Sequence, residues 1–201
     1  TLDTEFRDLM CNELRQLHDR IGATTVYVTH DQLEAMSMAD KIVVMNHGVI
    51  EQFGDPQSIY DRPSSMYVAD FIGSPPMNFL GFRGALEKGK QEIHMNGASI
   101  QVPEVRESQP EADLVLGVRP EHIRLDPDSL LRGAVFGTEY LGTTQIVTVD
   151  TEHGRLKARI PANVNLNPGE PVGLSLHSHR LSVFDKDTGR AIRPALYGDS
   201  R

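Results

Sequence analysis

Four groups of side chains in this chain have types and spacings that suit chemistry. In Thr29-His30-Asp31-Gln32-Leu33-Glu34 an imidazole sits beside two carboxylates. A neutral imidazole carries one donor and one acceptor, so His30 can hold a phosphate oxygen or a water in line without adding a full charge. Gly84-Ala85-Leu86-Glu87-Lys88-Gly89-Lys90-Gln91 has the spacing of a phosphate-cradling loop, but Gln91 stands where a Mg²⁺-binding hydroxyl belongs and Glu87 would repel phosphate. No helix pattern follows it to stabilise an anion, so it reads as a lysine-rich hairpin turn. His177-x-His179 puts two imidazoles on one face of an extended segment, yet no third ligand lies near in sequence, so surface histidines are the reading and no metal residues are assigned. Arg119-Pro120-Glu121-His122 lacks an accompanying nucleophile and reads as a turn whose Arg and Glu organise a barrel or an interface.

The elements around His30 decide what it does. Val26 and Val28 alternate with Thr25, Tyr27 and Thr29, which predicts a strand over 24–29. Asp31 with Glu34 three residues later forms the Asp-x-x-Glu variant of a capping box, so a helix starts at once. His30 is thereby expected at the carboxyl end of a strand, outside which open α/β sheets bind ligands. A partly buried structural histidine is the alternative.

Before this corner, Asp3 suits a helix N-cap, and Phe6, Met10, Leu14, Leu17 and Ile21 recur at three- and four-residue steps up to Gly22. After it, the apolar runs 41–45 and 49–53 flank Asn46-His47-Gly48, which predicts a β-hairpin. Asp55-Pro56 opens a short helix closed by Arg62-Pro63, and 65–72 is another, ended by Gly73. Two prolines in 74–79 mark a linker. Beyond it strands are predicted over 82–86, 93–95, 99–102, 114–118, 134–141, 145–150, 156–160, 172–176 and 181–184, separated by Gly, Pro, Asn and Asp as in a small barrel.

Tyr27-Val28-Thr29-His30-Asp31-Gln32-Leu33-Glu34-Ala35-Met36, with Ala39-Asp40-Lys41-Ile42-Val43-Val44-Met45, resembles the switch-histidine region of ATP-binding-cassette (ABC) transporter ATPases, in the sugar-import branch that includes the maltose-importer ATPase. Gly73-Ser74-Pro75-Pro76-Met77-Asn78-Phe79-Leu80 and Gly117-Val118-Arg119-Pro120-Glu121-His122 resemble the same branch. The resemblance implies an α/β fold over 1–73, the incomplete C-terminal part of an ABC ATPase domain, then the 74–79 linker and an all-β OB-like regulatory barrel over 80–201. It implies that His30 is a catalytic residue contacting the γ-phosphate, and that Asp3 lies at the end of the D-loop, near nucleotide across a dimer interface. It implies ATP and Mg²⁺ as cofactors of the full-length protein. A phosphate loop, a signature sequence and a catalytic carboxylate are not found here, and the resemblance places them before Thr1. This chain alone is therefore expected to bind no cofactor and to be inactive. The implied partners are membrane permease subunits, a solute-binding protein and a second copy joined through the regulatory domain. The implied cargo is a sugar or a related solute such as glycerol phosphate.

Composition narrows the alternatives. The 201 residues are 39% hydrophobic and 24% charged, ordinary for a globular chain, with no apolar run long enough to cross a bilayer. There is no basic-then-apolar leader, and the lone Cys11 reads as a reduced core residue, so the expected location is cytoplasmic, peripheral on the inner face of the cell membrane in the full complex. The net charge is -8; residues 1–79 hold 5 basic and 12 acidic groups, and 80–201 hold 15 and 16. Neither half has the basic excess that a phosphate backbone demands, so nucleic acid is not an expected partner. A stand-alone OB-like binding or regulatory module without ATPase activity is the second reading. The 12 aromatics, none of them Trp, supply few stacking platforms for it.

Overall fold

A computed structural model describes residues 4–95, 98–102 and 104–192. It divides into two compact units, 1–60 and 61–201.

The first unit is mostly helical. Helix α1 (Thr4–Ile21) ends as its pattern predicts, at Gly22 with φ +65°, a left-handed C′ position that glycine adopts without steric cost. Its apolar stripe is not buried: Phe6, Leu14, Leu17 and Ile21 are exposed, and Cys11 is the buried residue of the helix among those described. A stripe shows which face can be covered; it does not supply the cover. Residues 23–29 form no strand, contrary to the expectation from alternation. Val26 is 85% and Val28 89% exposed. A strand needs a hydrogen-bonding neighbour, and none of the described residues provides one, so the run is not part of a sheet. Helix α2 (Gln32–Met38) follows, then the hairpin of β1 (Ile42–Asn46) and β2 (Val49–Gly54). His47 and Gly48 both have positive φ, as a tight right-twisted hairpin requires. Helix α3 (Pro56–Asp61) closes the unit's sequence, with Asp55 accepting from the Ser58 amide at 2.8 Å.

Helix α4 (Met66–Phe71) belongs to the second unit, capped by Ser65. The strands are β3 (Asn78–Leu86), β4 (Glu92–Met95), β5 (Ala98–Gln101), β6 (Gln109–Val118), β7 (Ile123–Leu125), β8 (Arg132–Tyr140), β9 (Thr144–Thr151), β10 (Gly154–Pro161), β11 (Pro171–Leu176), β12 (Leu181–Asp185) and β13 (Ala191–Ile192). One sheet runs β10-β9-β8-β11-β7, a second runs β13-β12-β6-β3, and β4 pairs β5. Every pairing is antiparallel. The predicted strands 82–86 through 181–184 all fall on observed ones, because each is short, β-branched and bounded by turn residues.

The core lies between the sheets. Leu80, Leu114, Leu116, Ile123, Val147, Leu156, Leu174 and Leu181 are each 2% exposed or less and belong to one cluster. Burying a side chain of this size contributes about 1.5–3 kcal/mol, so this cluster carries most of the fold. No helix among the described residues is long and apolar enough to cross a membrane.

Candidate functional site

His30 lies between two clamped neighbours. The Thr29 hydroxyl donates to Glu34 Oε2 at 2.7 Å and accepts from the Asp31 amide at 2.9 Å. Asp31 Oδ1 accepts from the Leu33 and Glu34 amides at 2.8 and 3.3 Å, capping α2. Arg7, one helix away, donates to Asp31 Oδ2 at 2.5 Å, and its Nε lies 3.6 Å from Glu34 Oε1. The Tyr27 hydroxyl adds a bond to Glu34 at 3.2 Å. The capping box is thus altered: Glu34 reaches back to Thr29 and Tyr27 hydroxyls, and Thr29 takes over the Asp31 amide.

These bonds fix the backbone on both sides of His30 while leaving its ring exposed. The imidazole makes no hydrogen bond or ion pair among the described residues, so its donor and acceptor are available to a ligand. Amide hydrogen bonds from Leu33 and then Glu34, with Arg7, hold the Asp31 carboxyl below its ordinary value. The lower end of α2 is tied down separately. Arg15 donates to the Met38 carbonyl at 2.8 Å and to Asp40 at 2.9 Å, and pairs Asp19 at 3.2 Å. The Asp31 cap is as the sequence predicts, but His30 does not end a strand; the hold of Arg7 and Arg15 on this corner, over separations of 23 to 25 residues, has no local signature. Asp3 lies outside the described residues.

The Gly84–Gln91 segment is not a cradle: it runs from the end of β3 into a turn at Gly89, where Lys90 pairs Glu87 at 3.1 Å. No three His, Cys, Asp or Glu among the described residues are arranged for a metal ion. His177 and His179 do not share a strand face. The strand β11 stops at Leu176, and they lie at the start and within a 3-10 turn, Ser178–Arg180.

Arg119 proves to be a structural anchor. It is 2% exposed and donates to the carbonyls of Ala69 and Ile72, at the end of α4. Gly73 makes room for it, because a Cβ there would lie 2.6 Å from its guanidinium. Asn78, assigned by sequence to a linker, is instead a clasp between sheets. Its amide donates to the Val118 and Lys157 carbonyls at 3.1 and 2.9 Å, and its oxygen accepts from the Lys157 amide at 2.7 Å.

Comparison with known proteins bears on this geometry. A family described as the MalK OB fold domain matches residues 73–123, and the TOBE domain family matches 116–184. An uncharacterized ABC transporter ATP-binding protein, YurJ of Bacillus subtilis, is 38% identical over 205 residues, covering 95% of this chain and 55% of that protein. The sn-glycerol-3-phosphate import ATP-binding protein UgpC 2 of Agrobacterium fabrum is 38% identical over 193 residues, covering 95% and 51%. The trehalose/maltose import ATP-binding protein MalK of Thermococcus litoralis is 35% identical over 208 residues, covering 95% and 54%. The chain spans about half the length of the curated relatives it matches. With its OB and TOBE segments in place and nearly its whole length aligned, the chain is homologous to the C-terminal region of ABC importer ATP-binding subunits.

Proposed function

We propose that this chain is the C-terminal segment of the ATP-binding subunit of an importer for sugars or glycerol phosphate, in which the whole protein couples ATP hydrolysis to uptake. Residues 1–60 contribute the last part of an α/β ATPase domain, and 61–201, which take in the expected 74–79 linker, form the regulatory unit. The exposed segment 24–29 supports this reading, because a run that alternates like a strand yet finds no partner among the described residues suits a sheet completed by other segments.

In the whole protein His30 touches the terminal phosphate and the attacking water, and Asp3 approaches nucleotide across a dimer interface. ATP with Mg²⁺ supplies the phosphoryl group whose transfer drives transport. The task of this chain is positioning: Arg7, Asp31, Glu34 and Thr29 hold the backbone around His30, so the imidazole meets its ligand without first being ordered. The single observation that carries this reading is that clamp on an otherwise unbonded, exposed histidine. Permease subunits, a solute-binding protein and a second copy joined through the regulatory domain are the partners, at the cytoplasmic face of the membrane.

The test is His30→Ala in the whole subunit assembled with its permease. Turnover should fall about a hundredfold while nucleotide Kd stays within about threefold, since the contact acts in the transition state. Normal turnover in that variant would return His30 to a structural role.

A further inference from the structure

Where β7 pairs β11, Arg124 stands opposite Ser175 and Ile123 opposite Leu176. The His177 amide donates to the His122 carbonyl at 2.9 Å, one rung beyond that register, so two histidines form the last opposed pair. Alternation sends Ile123, 1% exposed, into the core and leaves both histidines on the opposite face with Arg124. The ring centres of His122 and His177 lie 6.1 Å apart, and that of His179 lies 6.2 Å from His177. His122 is half-buried, whereas His177 and His179 are exposed.

The turn that carries this cluster also carries a tether. From His177 the chain enters the 3-10 turn Ser178–Arg180, closed by the Arg180 amide donating to the His177 carbonyl at 2.9 Å. Arg180 then reaches Asp61 Oδ2 at 3.4 Å. Asp61 is the last residue of α3 and the first of the barrel unit. One short turn thus joins the end of a sheet ladder to the place where the chain enters that unit.

The charges around His122 lean positive. Burial is the largest cause of its lowered pKa; Arg180 and His177 also oppose its protonation, while Glu121 and Asp61 favour it. Arg124 follows on β7 beside His177, and His179 lies beyond that ring. Arg119, on the same turn as His122, is committed to the carbonyls of Ala69 and Ile72. Strand β10, packed against this turn, carries Arg155, Lys157 and Arg159, of which Arg155 pairs Asp150 and Arg159 donates to the Ser74 carbonyl. Each proton taken up by the rings therefore adds a charge of the sign already in excess.

We propose that His122, His177 and His179 form an acid-sensitive latch: at neutral pH the ladder rung and the Arg180–Asp61 pair hold the 177–180 turn closed, and protonation of the cluster opens that turn and draws Arg180 off Asp61. The direction follows from His122. Its folded value is depressed, so it contributes stability fully above the ordinary histidine value of about 6.5 and loses it as pH falls through the lower folded value. This window is mildly acidic and lies above the range in which carboxylates ordinarily take up protons. The latch stands on the barrel unit alone, so its failure leaves the transport reading untouched.

The experiment is hydrogen exchange of the 201-residue chain at low micromolar concentration, read by mass spectrometry between about pH 7.5 and 5.5 and corrected for the intrinsic exchange rate at each pH. Peptides spanning 174–181 should lose about twofold to fivefold of their protection across this range, the worth of one exposed ion pair, while peptides from β8 and β9 keep theirs and report an intact fold. Exchange of the imidazole C2 hydrogen, followed in the same samples, should place the His122 midpoint below the ordinary value of about 6.5 and in step with that loss. His122→Gln should abolish the step, and Asp61→Asn should leave the turn under-protected already at neutral pH. Flat protection over 174–181, a step that survives unchanged in His122→Gln, or full protection at neutral pH in Asp61→Asn would each overturn the latch.

Discussion

Asp31 carries two amide bonds and an arginine at once, which makes the corner around His30 sensitive to acid. Its folded pKa is depressed, so the carboxylate contributes stability fully above the ordinary aspartate value of about 3.9 and loses it as pH falls through the lower folded value. Helical chemical shifts over 32–38 should therefore hold from neutral pH to about 4 and decline below it. Asp31→Asn keeps a capping acceptor but has no charge to lose, so its shifts should show no such step. A step that survives in Asp31→Asn would assign the transition elsewhere. Gly73 gives a second prediction at this scale. Its φ of +119° is a region almost closed to other residues, and an added Cβ would meet the Arg119 guanidinium. Gly73→Ala should destabilise the barrel unit by about 1–3 kcal/mol in denaturant melts, whereas Gly81→Ala, with open space around it, should cost far less. The cap was legible in the sequence because it is local. The partners of Gly73 were not, since Arg119 is 46 residues away and a glycine carries no mark of what its missing side chain admits.

The barrel strands were legible because each one satisfies its own pattern and pairs with neighbours in the same chain. Residues 145–149 are all buried, as a strand covered on both faces should be, and Leu156, Ala158 and Ile160 alternate inward. The segment 24–29 and helix α1 follow equally good patterns and are left uncovered, since periodicity describes a face and not its partner. The stretch 61–79 was harder to read, because its ties are backbone bonds and one asparagine. The Met66 amide donates to the Gly189 carbonyl at 2.8 Å, the Ala191 amide to Ser64 at 3.0 Å, and Ala69 packs in a cluster with Met77, Val115 and Phe184. The barrel unit therefore extends upstream of its linker. Expressed from residue 61, it should melt cooperatively; expressed from residue 80, it loses α4, the Arg119 carbonyl partners and the Asn78 clasp. The shorter version should melt at least about 5 °C lower by calorimetry, since each kcal/mol lost moves a domain of this size by several degrees. Equal melting temperatures would show that α4 only rests on the barrel.

For the whole molecule the two units set different expectations. The chain alone should give no heat with Mg-ATP in calorimetry, because its described residues present one imidazole to a nucleotide and no nest of backbone amides for the phosphates. Micromolar binding would show a nucleotide site that the geometry above does not contain. We propose two separable sources of self-association. The barrel half is nearly charge-balanced, so two copies meet without strong net repulsion, and Leu130, Phe136, Tyr140 and Leu141 are large apolar side chains exposed on it. Phe136 is partly covered by Arg155, whose guanidinium carbon lies 3.7 Å from the ring centre, which leaves Tyr140, 74% exposed, as the more open contact. The first unit adds Val26, Val28, Val49, Ile50 and Phe53, all exposed, beside a segment whose backbone groups lack strand partners. Such edges pair non-specifically and without closure. Residues 61–201 should accordingly form a discrete dimer by sedimentation at tens of micromolar, and Tyr140→Asp should shift it toward monomer. The 201-residue chain should instead show larger, concentration-dependent species that Val26→Lys with Val28→Lys suppresses back to the dimer, because a charged edge resists pairing. A barrel unit that stays monomeric would locate all association in the first 60 residues and remove the regulatory unit as the joint between two subunits.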